Sequence, residues 1–198
     1  ATATATPGTV CSGGTVHLNA GASGGSGTNT YSWTSVPAGF TSALSNPVAN
    51  PTENTTYYVT VNDGFTTVNS QVTVTVNALP ATPTITAGGA TTFCAGGSVV
   101  LTSSSGSSYL WSNGATTQSI TVSSTGNYTV RVTDANSCQS AASAVTTVTV
   151  NALPATPTIT AGGATTFCSG GSVVLTSSPG NSYLWSNGAT TQNITVST

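Results

Sequence analysis

The sequence predicts an all-β chain, a string of small antiparallel β-sandwiches. Three observations predict it. Short segments alternate apolar and polar residues, as at residues 56–62, where Tyr57, Val59 and Val61 share one face, which is the two-residue period of a strand. Turn pairs separate these segments, among them Gly13-Gly14, Asp63-Gly64 and Asn113-Gly114, and no useful length of helical periodicity stands between them. Residues 76–124 recur at 150–198, an offset of 74 positions, with five differences: Ala95/Ser169, Ser105/Pro179, Ser107/Asn181, Ser119/Asn193 and Ser124/Thr198. A fixed period of that size means one folding unit copied in tandem.

The repeat divides the 198 residues into a first domain at 1–78, a second at 79–152 and a partial copy of the second at 153–198. The middle unit is complete and the last is expected to be cut mid-domain, so the chain reads as a window onto a longer repeat protein. Units this small bury modest cores. Charged residues make up 2% of the chain, against about 25% in an ordinary soluble domain. Arg131 is the only Lys or Arg, His17 the only histidine, and Glu53, Asp63 and Asp134 are the acids. Without a basic patch, nucleic-acid binding loses its main electrostatic term, and attraction to anionic membranes fails likewise. No apolar run is long enough to span a bilayer as a helix. Thr, Val and Ser in alternating order argue for strands rather than disorder.

Taken in order, Ala and Thr alternate over residues 1–6 before Pro7-Gly8, which reads as the tail of a linker. Residues 15–19 form a strand with Val16 and Leu18 on one face and His17 on the other. Residues 20–28 are a Gly/Ser loop. Tyr31-Ser32-Trp33 is the next strand, and 37–54 an irregular connection. Residues 56–62 are a strong strand, turned at Asp63-Gly64 into 68–77, where Val72, Val74 and Val76 share a face. Ala78-Leu79-Pro80, with Pro83, forms an extended joint. The second unit repeats the plan: Val99 and Leu101, Tyr109-Leu110-Trp111, Asn113-Gly114, Ile120 and Val122, then Tyr128, Val130 and Val132, with Val145, Val148 and Val150 at the end. The third carries Val173, Leu175, Tyr183, Trp185, Ile194 and Val196. Trp33, Trp111 and Trp185, with Tyr57 and Tyr128, are the expected core aromatics. Tyr57 and Tyr128 open the penultimate strand, the place of a tyrosine corner in a two-sheet sandwich.

The cysteines are Cys11, Cys94, Cys138 and Cys168, none in a C-x-x-C pattern, so a zinc site is not expected. Cys94 and Cys138 open and close one unit, which predicts a disulfide between them and an oxidising, extracellular setting. The counterpart partner of Cys168 falls beyond the chain, and Cys11 has no obvious partner.

The stretches CSGGTVHLNAGASGGSGTNTYSW and NPVANPTENTTYYVTVNDG resemble the PKD-like repeats of large secreted proteins of Bacteroidetes-type bacteria. PTITAGGATTFCAGGSVVLTSSSGSSYLWSNGATTQSITVSSTGNYTVRVTDANSC resembles the Ig-like repeats of the same surface proteins. The resemblance covers nearly the whole chain. It implies tandem Ig-like (PKD-like) β-sandwich domains, type IX secretion, and a place in adhesins, gliding filaments or the stalks of secreted enzymes. The first unit departs from the pattern, since no cysteine follows Asp63-Gly64.

Candidate sites each meet a plainer structural reading. His17 with Cys11 or Asp63 would be a base and nucleophile, but the other units put Val100 and Val174 at the histidine position. Asp134-Ala135-Asn136 resembles the start of a calcium loop, yet one carboxylate per unit is too few for a cation that wants six or more oxygens. The tryptophans are placed in the core rather than on sugars. Asn54, Asn127 and Asn193 begin N-x-S/T triplets. Thr-x-Thr runs would suit a flat ice-binding face, but β-propensity explains them. No catalytic residue, cofactor site or metal site is therefore predicted. The expected function is a structural repeat segment of an extracellular filament or cell-surface adhesin stalk. Its partners would be neighbouring repeats or copies of itself, with surface glycans a second class and no nucleic acid or membrane insertion. The alternative is a glycan-binding or spacer module of a secreted polysaccharide-degrading enzyme.

Overall fold

In a computed structural model the chain is described at residues 1–25 and 27–197. Ser26, in the predicted 20–28 loop, and Thr198, the last residue of the third repeat, lie outside the described residues. Among the described residues there are strands and no helix. The chain divides into two compact units, Ala1–Asn151 and Ala152–Thr198.

The first unit holds two separate cores. Around the first lie β1 (Thr2–Thr6), β2 (Thr9–Cys11), β3 (Val16–Gly21), β4 (Thr30–Val36), β5 (Thr41–Ser42), β6 (Val48–Ala49), β7 (Thr55–Asn62) and β8 (Thr67–Asn77). They form a three-stranded sheet β1-β3-β6 and a five-stranded sheet β2-β8-β7-β4-β5. Val16 and Leu18 of one sheet meet Trp33, Tyr57, Val59, Val61 and Val74 of the other. The chain crosses between sheets at Pro7-Gly8, so that β1 runs antiparallel to β3 while β2 runs parallel to β8. A first strand split between two antiparallel sheets, with the penultimate strand central in the larger, is an immunoglobulin-like sandwich.

The predicted linker tail at 1–6 is therefore the strand β1. Ala3 and Ala5 pack against the core beside Leu18 and Ala20, and their small side chains gave too weak an apolar signal for the alternation to read as a strand.

The second core repeats the plan with β9 (Ile85–Ala87), β10 (Thr92–Cys94), β11 (Val99–Ser103), β12 (Ser108–Trp111), β13 (Ser119–Val122), β14 (Gly126–Tyr128), β15 (Val130–Thr133) and β16 (Thr146–Asn151). Sheet β13-β11-β9 faces strands β10-β16-β14 and β15-β12 across Leu101, Trp111, Val130 and Val148. β10 is again parallel to β16, with Cys94 opposite Asn151 as Cys11 is opposite Asn77. Val145, expected with Val148 and Val150 to end the unit, is 59% exposed. It precedes β16 and is out of step with the alternation that turns Val148 inward.

The second compact unit has β17 (Ile159–Ala161), β18 (Ser172–Ser177) and β19 (Asn193–Ser197) in one antiparallel sheet. Its register copies β9, β11 and β13 position for position: Leu175 faces Ala161 and Val173 faces Val196, as Leu101 faces Ala87 and Val99 faces Val122. The sequences equivalent to β10 and β12 are not strands here. Phe167-Cys168 and Tyr183-Leu184-Trp185 have no ladder partners like β16 and β15. Nearly identical sequence thus takes strand form only where a neighbour accepts its hydrogen bonds. Trp185, expected in the core, is only half-buried for the same reason, and Leu184 is 82% exposed.

Candidate functional site

Two of the four cysteines meet at one junction, where Cys11 is bonded to Cys138 with Cα atoms 5.6 Å apart. This corrects the expected Cys94–Cys138 pair. Within the second sandwich those two cysteines lie at opposite ends. From Cys138, beside Asp134, the chain runs along the sandwich past Val132 at Ser140 and Val130 at Ser143, then past Tyr128 at Thr146 and Gly126 at Val148, and reaches Cys94 only at Asn151. At about 3.3 Å per residue the separation is on the order of 30 Å, whereas a disulfide needs Cα atoms within about 7 Å. Cys94 and Cys168 are free and exposed.

Each side of the junction is built locally. Cys11 ends β2 against Asn77, and the Asn77 carbonyl also accepts the Ser12 N–H at 2.9 Å. The chain then turns sharply: the Gly14 N–H donates to the Cys11 carbonyl at 2.7 Å. Gly13 has a φ of 77°, and a Cβ on Gly14 would stand 2.8 Å from the Cys11 carbonyl oxygen, so the Gly-Gly pair is required. Cys138 sits at the end of a tight loop whose hub is Asp134. The Asp134 Oδ1 accepts the N–H groups of Asn136 and Cys138, both at 2.9 Å, and the Asp134 N–H donates to the Cys138 carbonyl at 3.0 Å. Ser137 takes a φ of 64° to close the turn. Asp134 is thus a turn-former rather than the start of a calcium loop.

Two buried serines hold the chain after Cys138 against β15. Ser140 Oγ accepts the Val132 N–H at 3.0 Å and Ser143 Oγ the Val130 N–H at 3.1 Å, while each hydroxyl donates to the next residue's carbonyl. The Arg131 guanidinium donates to the Ser140 carbonyl at 3.0 Å. Sequence reasoning missed this arrangement. The only sign of it was the unpaired Cys11 of the first repeat beside an extra loop cysteine in the second.

The other candidates do not assemble. His17 is exposed on β3, while the Cys11 sulfur is held in its disulfide and cannot be a nucleophile. Asp63 accepts the N–H groups of Phe65 and Thr66 at 2.9 and 2.7 Å, the work of a hairpin turn. Trp33 and Trp111 are buried, and the three indole N–H groups donate to the carbonyls of Leu44, Thr117 and Thr191. Tyr58 and Phe65 are exposed aromatics, one in mid-strand and one at a hairpin tip rather than in a row. The Tyr128 hydroxyl donates back to the Ser124 carbonyl at 3.2 Å, the bond of a tyrosine corner. At Tyr57, Thr55 takes the corresponding Glu53 carbonyl instead, at 2.7 Å. Asn54 Oδ1 accepts the Val76 N–H at 2.7 Å, and Asn127 Oδ1 the Thr147 hydroxyl at 2.8 Å. Among the described residues, no group of three or more His, Cys, Asp or Glu is placed to hold a metal.

No protein-family model matches this chain, and no curated protein matches it. Similar solved structures include murine CEACAM1b, at 13% identity and a TM-score of 0.36, covering 76% of this chain and 99% of that one. The N-terminal four Ig domains of Dscam1 isoform 6.9 are 14% identical, with a TM-score of 0.31, covering 72% of this chain and 43% of that one. A Ca2+-stabilised adhesin that helps an Antarctic bacterium bind ice is 17% identical, with a TM-score of 0.42, covering 99% of this chain and 62% of that one.

Proposed function

We propose that this chain is a structural segment of an extracellular filament or cell-surface adhesin stalk, without catalytic activity of its own. The Cys11–Cys138 bond carries the reading, because it joins the sandwich built on the first core to the one built on the second. Such a bond lasts in an oxidising compartment, and a cross-link between successive sandwiches transmits tension and limits their swing. The residues 79–152 and 153–198 are taken as successive copies of one module, and a stalk gains length from copies where a catalytic site gains nothing. Sparse charge leaves little repulsion between neighbouring fibres.

The finer reading is export by the type IX route as part of a PKD-like and Ig-like surface protein of Bacteroidetes type. Its support is the CSGG and NTTYYVTVNDG motifs of the first repeat. The glycan-binding alternative has no comparable support, since the indoles are tied to loop carbonyls. Electron microscopy of the native material tests the proposal. Thin beaded filaments outside the cell, labelled by antibody to residues 1–151, are expected; label confined to compact cytoplasmic particles would contradict it.

A further inference from the structure

We propose that the Cys11–Cys138 bond gives the Ala1–Asn151 unit a load-bearing function: it closes a covalent line that carries tension past both hydrophobic cores instead of through them. The inference deepens the stalk reading and rests on it for its biological sense. Its geometry comes from the one compact unit alone.

The line has three parts. It enters along β1 and β2, which are already extended strands. It crosses at the disulfide to Cys138. It leaves along the chain laid against β15, where the Ser140 N–H donates to the Val132 carbonyl and the Ser143 N–H to the Val130 carbonyl, both at 2.9 Å. From there it continues along β16 to Asn151. Among the described residues, every buried member of the two cores except Val10 and Val148 lies between the two cysteines. Val10 and Val148 stand on the line itself, one in each sandwich. An unlinked sandwich pulled by its two ends lengthens by giving up its strands, because tension passes through noncovalent contacts. Here tension passes through covalent bonds, and the cores are held alongside.

The line has little slack. Between Ala1 and Ala152 the chain makes 151 steps; the bond spans 127 of them and leaves 24 outside it. At about 3.6 Å per step, those two residues can be drawn roughly 90 Å apart with the bond closed and roughly 540 Å apart without it, about a sixfold difference. The bond is also shielded. Cys138 is fully buried and Cys11 half-buried, which restricts the approach of an attacking thiolate.

The test is a force ramp on single molecules of the full 198-residue chain. One handle is the N-terminus and the other a click-reactive residue at the exposed Ala152, so residues 153–198 carry no load. The non-reduced chain is expected to stop lengthening at roughly 90 Å, and Cys138→Ser to run on to roughly 540 Å under the same ramp, about six times farther. Cys11→Ser should behave like Cys138→Ser, with circular dichroism showing beforehand that each variant is folded. A non-reduced native chain that runs on past roughly 90 Å overturns the inference. So does a serine variant that stops where the native chain stops, since the cores would then bear the load themselves. If neither variant folds, the native chain decides alone by stopping or running on. The ramp is made on isolated molecules, so its failure is separable from failure of the stalk reading, which microscopy of the native material decides.

Discussion

Trp111 and Trp185 occupy equivalent positions in nearly identical sequence, and both indoles donate at 2.8 Å to the carbonyl six residues on, yet only Trp111 is buried. The loop that receives each indole is local, and forms in both copies. Burial comes from β14, β15 and β16, which have no counterpart among residues 153–197.

Collisional quenching reads this difference directly. Acrylamide is expected to quench one of the three tryptophans efficiently and leave two protected. Trp185→Phe should remove the accessible component, while Trp33→Phe should not. Uniform accessibility of all three would contradict the burial described.

The strand pattern was legible because valine, tyrosine and tryptophan alternate with threonine and serine, and burial then follows parity, as at Tyr57, Val59 and Val61. Two features were not legible. Ala3 and Ala5 mark a core-facing strand with side chains too small to stand out. The cysteine pairing depends on which pole of a sandwich each residue reaches, and sequence spacing does not report that. Cys94 and Cys138 open and close a repeat but lie at its two poles, so the partner of Cys138 comes from the sandwich before it.

Ser140 is expected to matter more than its type suggests. Its Oγ is the acceptor for the buried Val132 N–H. Ser140→Ala leaves that donor unmatched and should cost roughly 1–3 kcal/mol in urea denaturation. Substitution of the exposed Ser105 should stay within about 0.5 kcal/mol. Equal effects at the two sites would remove the serine from the account of the loop.

Stability should depend on pH mainly at the alkaline end. Burial raises the Tyr57 phenol above its ordinary value of 10.0, opposed by a hydrogen bond with Thr55. The folded state therefore holds the Tyr57 proton more tightly than the unfolded chain does. Its contribution is fully present below pH 10.0 and is lost as pH rises through the higher folded value. With three carboxylic side chains in the chain, acid has little to act on. Thermal melts are expected to be nearly flat from weakly acidic to neutral pH and to fall above pH 10.0. Tyr57→Phe should flatten the alkaline fall. A drop of tens of degrees in acid would contradict this.

Stapling should also affect unfolding. The cross-link spans 127 positions, for which the chain-entropy model allows up to about 5 kcal/mol. Reduction, or Cys138→Ser, is expected to lower the melting temperature of the Ala1–Asn151 unit. An unchanged melt after complete reduction would show that the bond adds nothing to folding.

The central claim is that successive sandwiches are joined covalently, and disulfide mapping of the intact, non-reduced protein tests it most directly. Free thiols are alkylated first, and the chain is then digested with a protease of broad specificity, since Arg131 is the only tryptic site. The account predicts a cross-linked peptide pair containing Cys11 and Cys138, with Cys94 and Cys168 recovered alkylated. Recovery of a Cys94–Cys138 pair, with Cys11 alkylated, would contradict it.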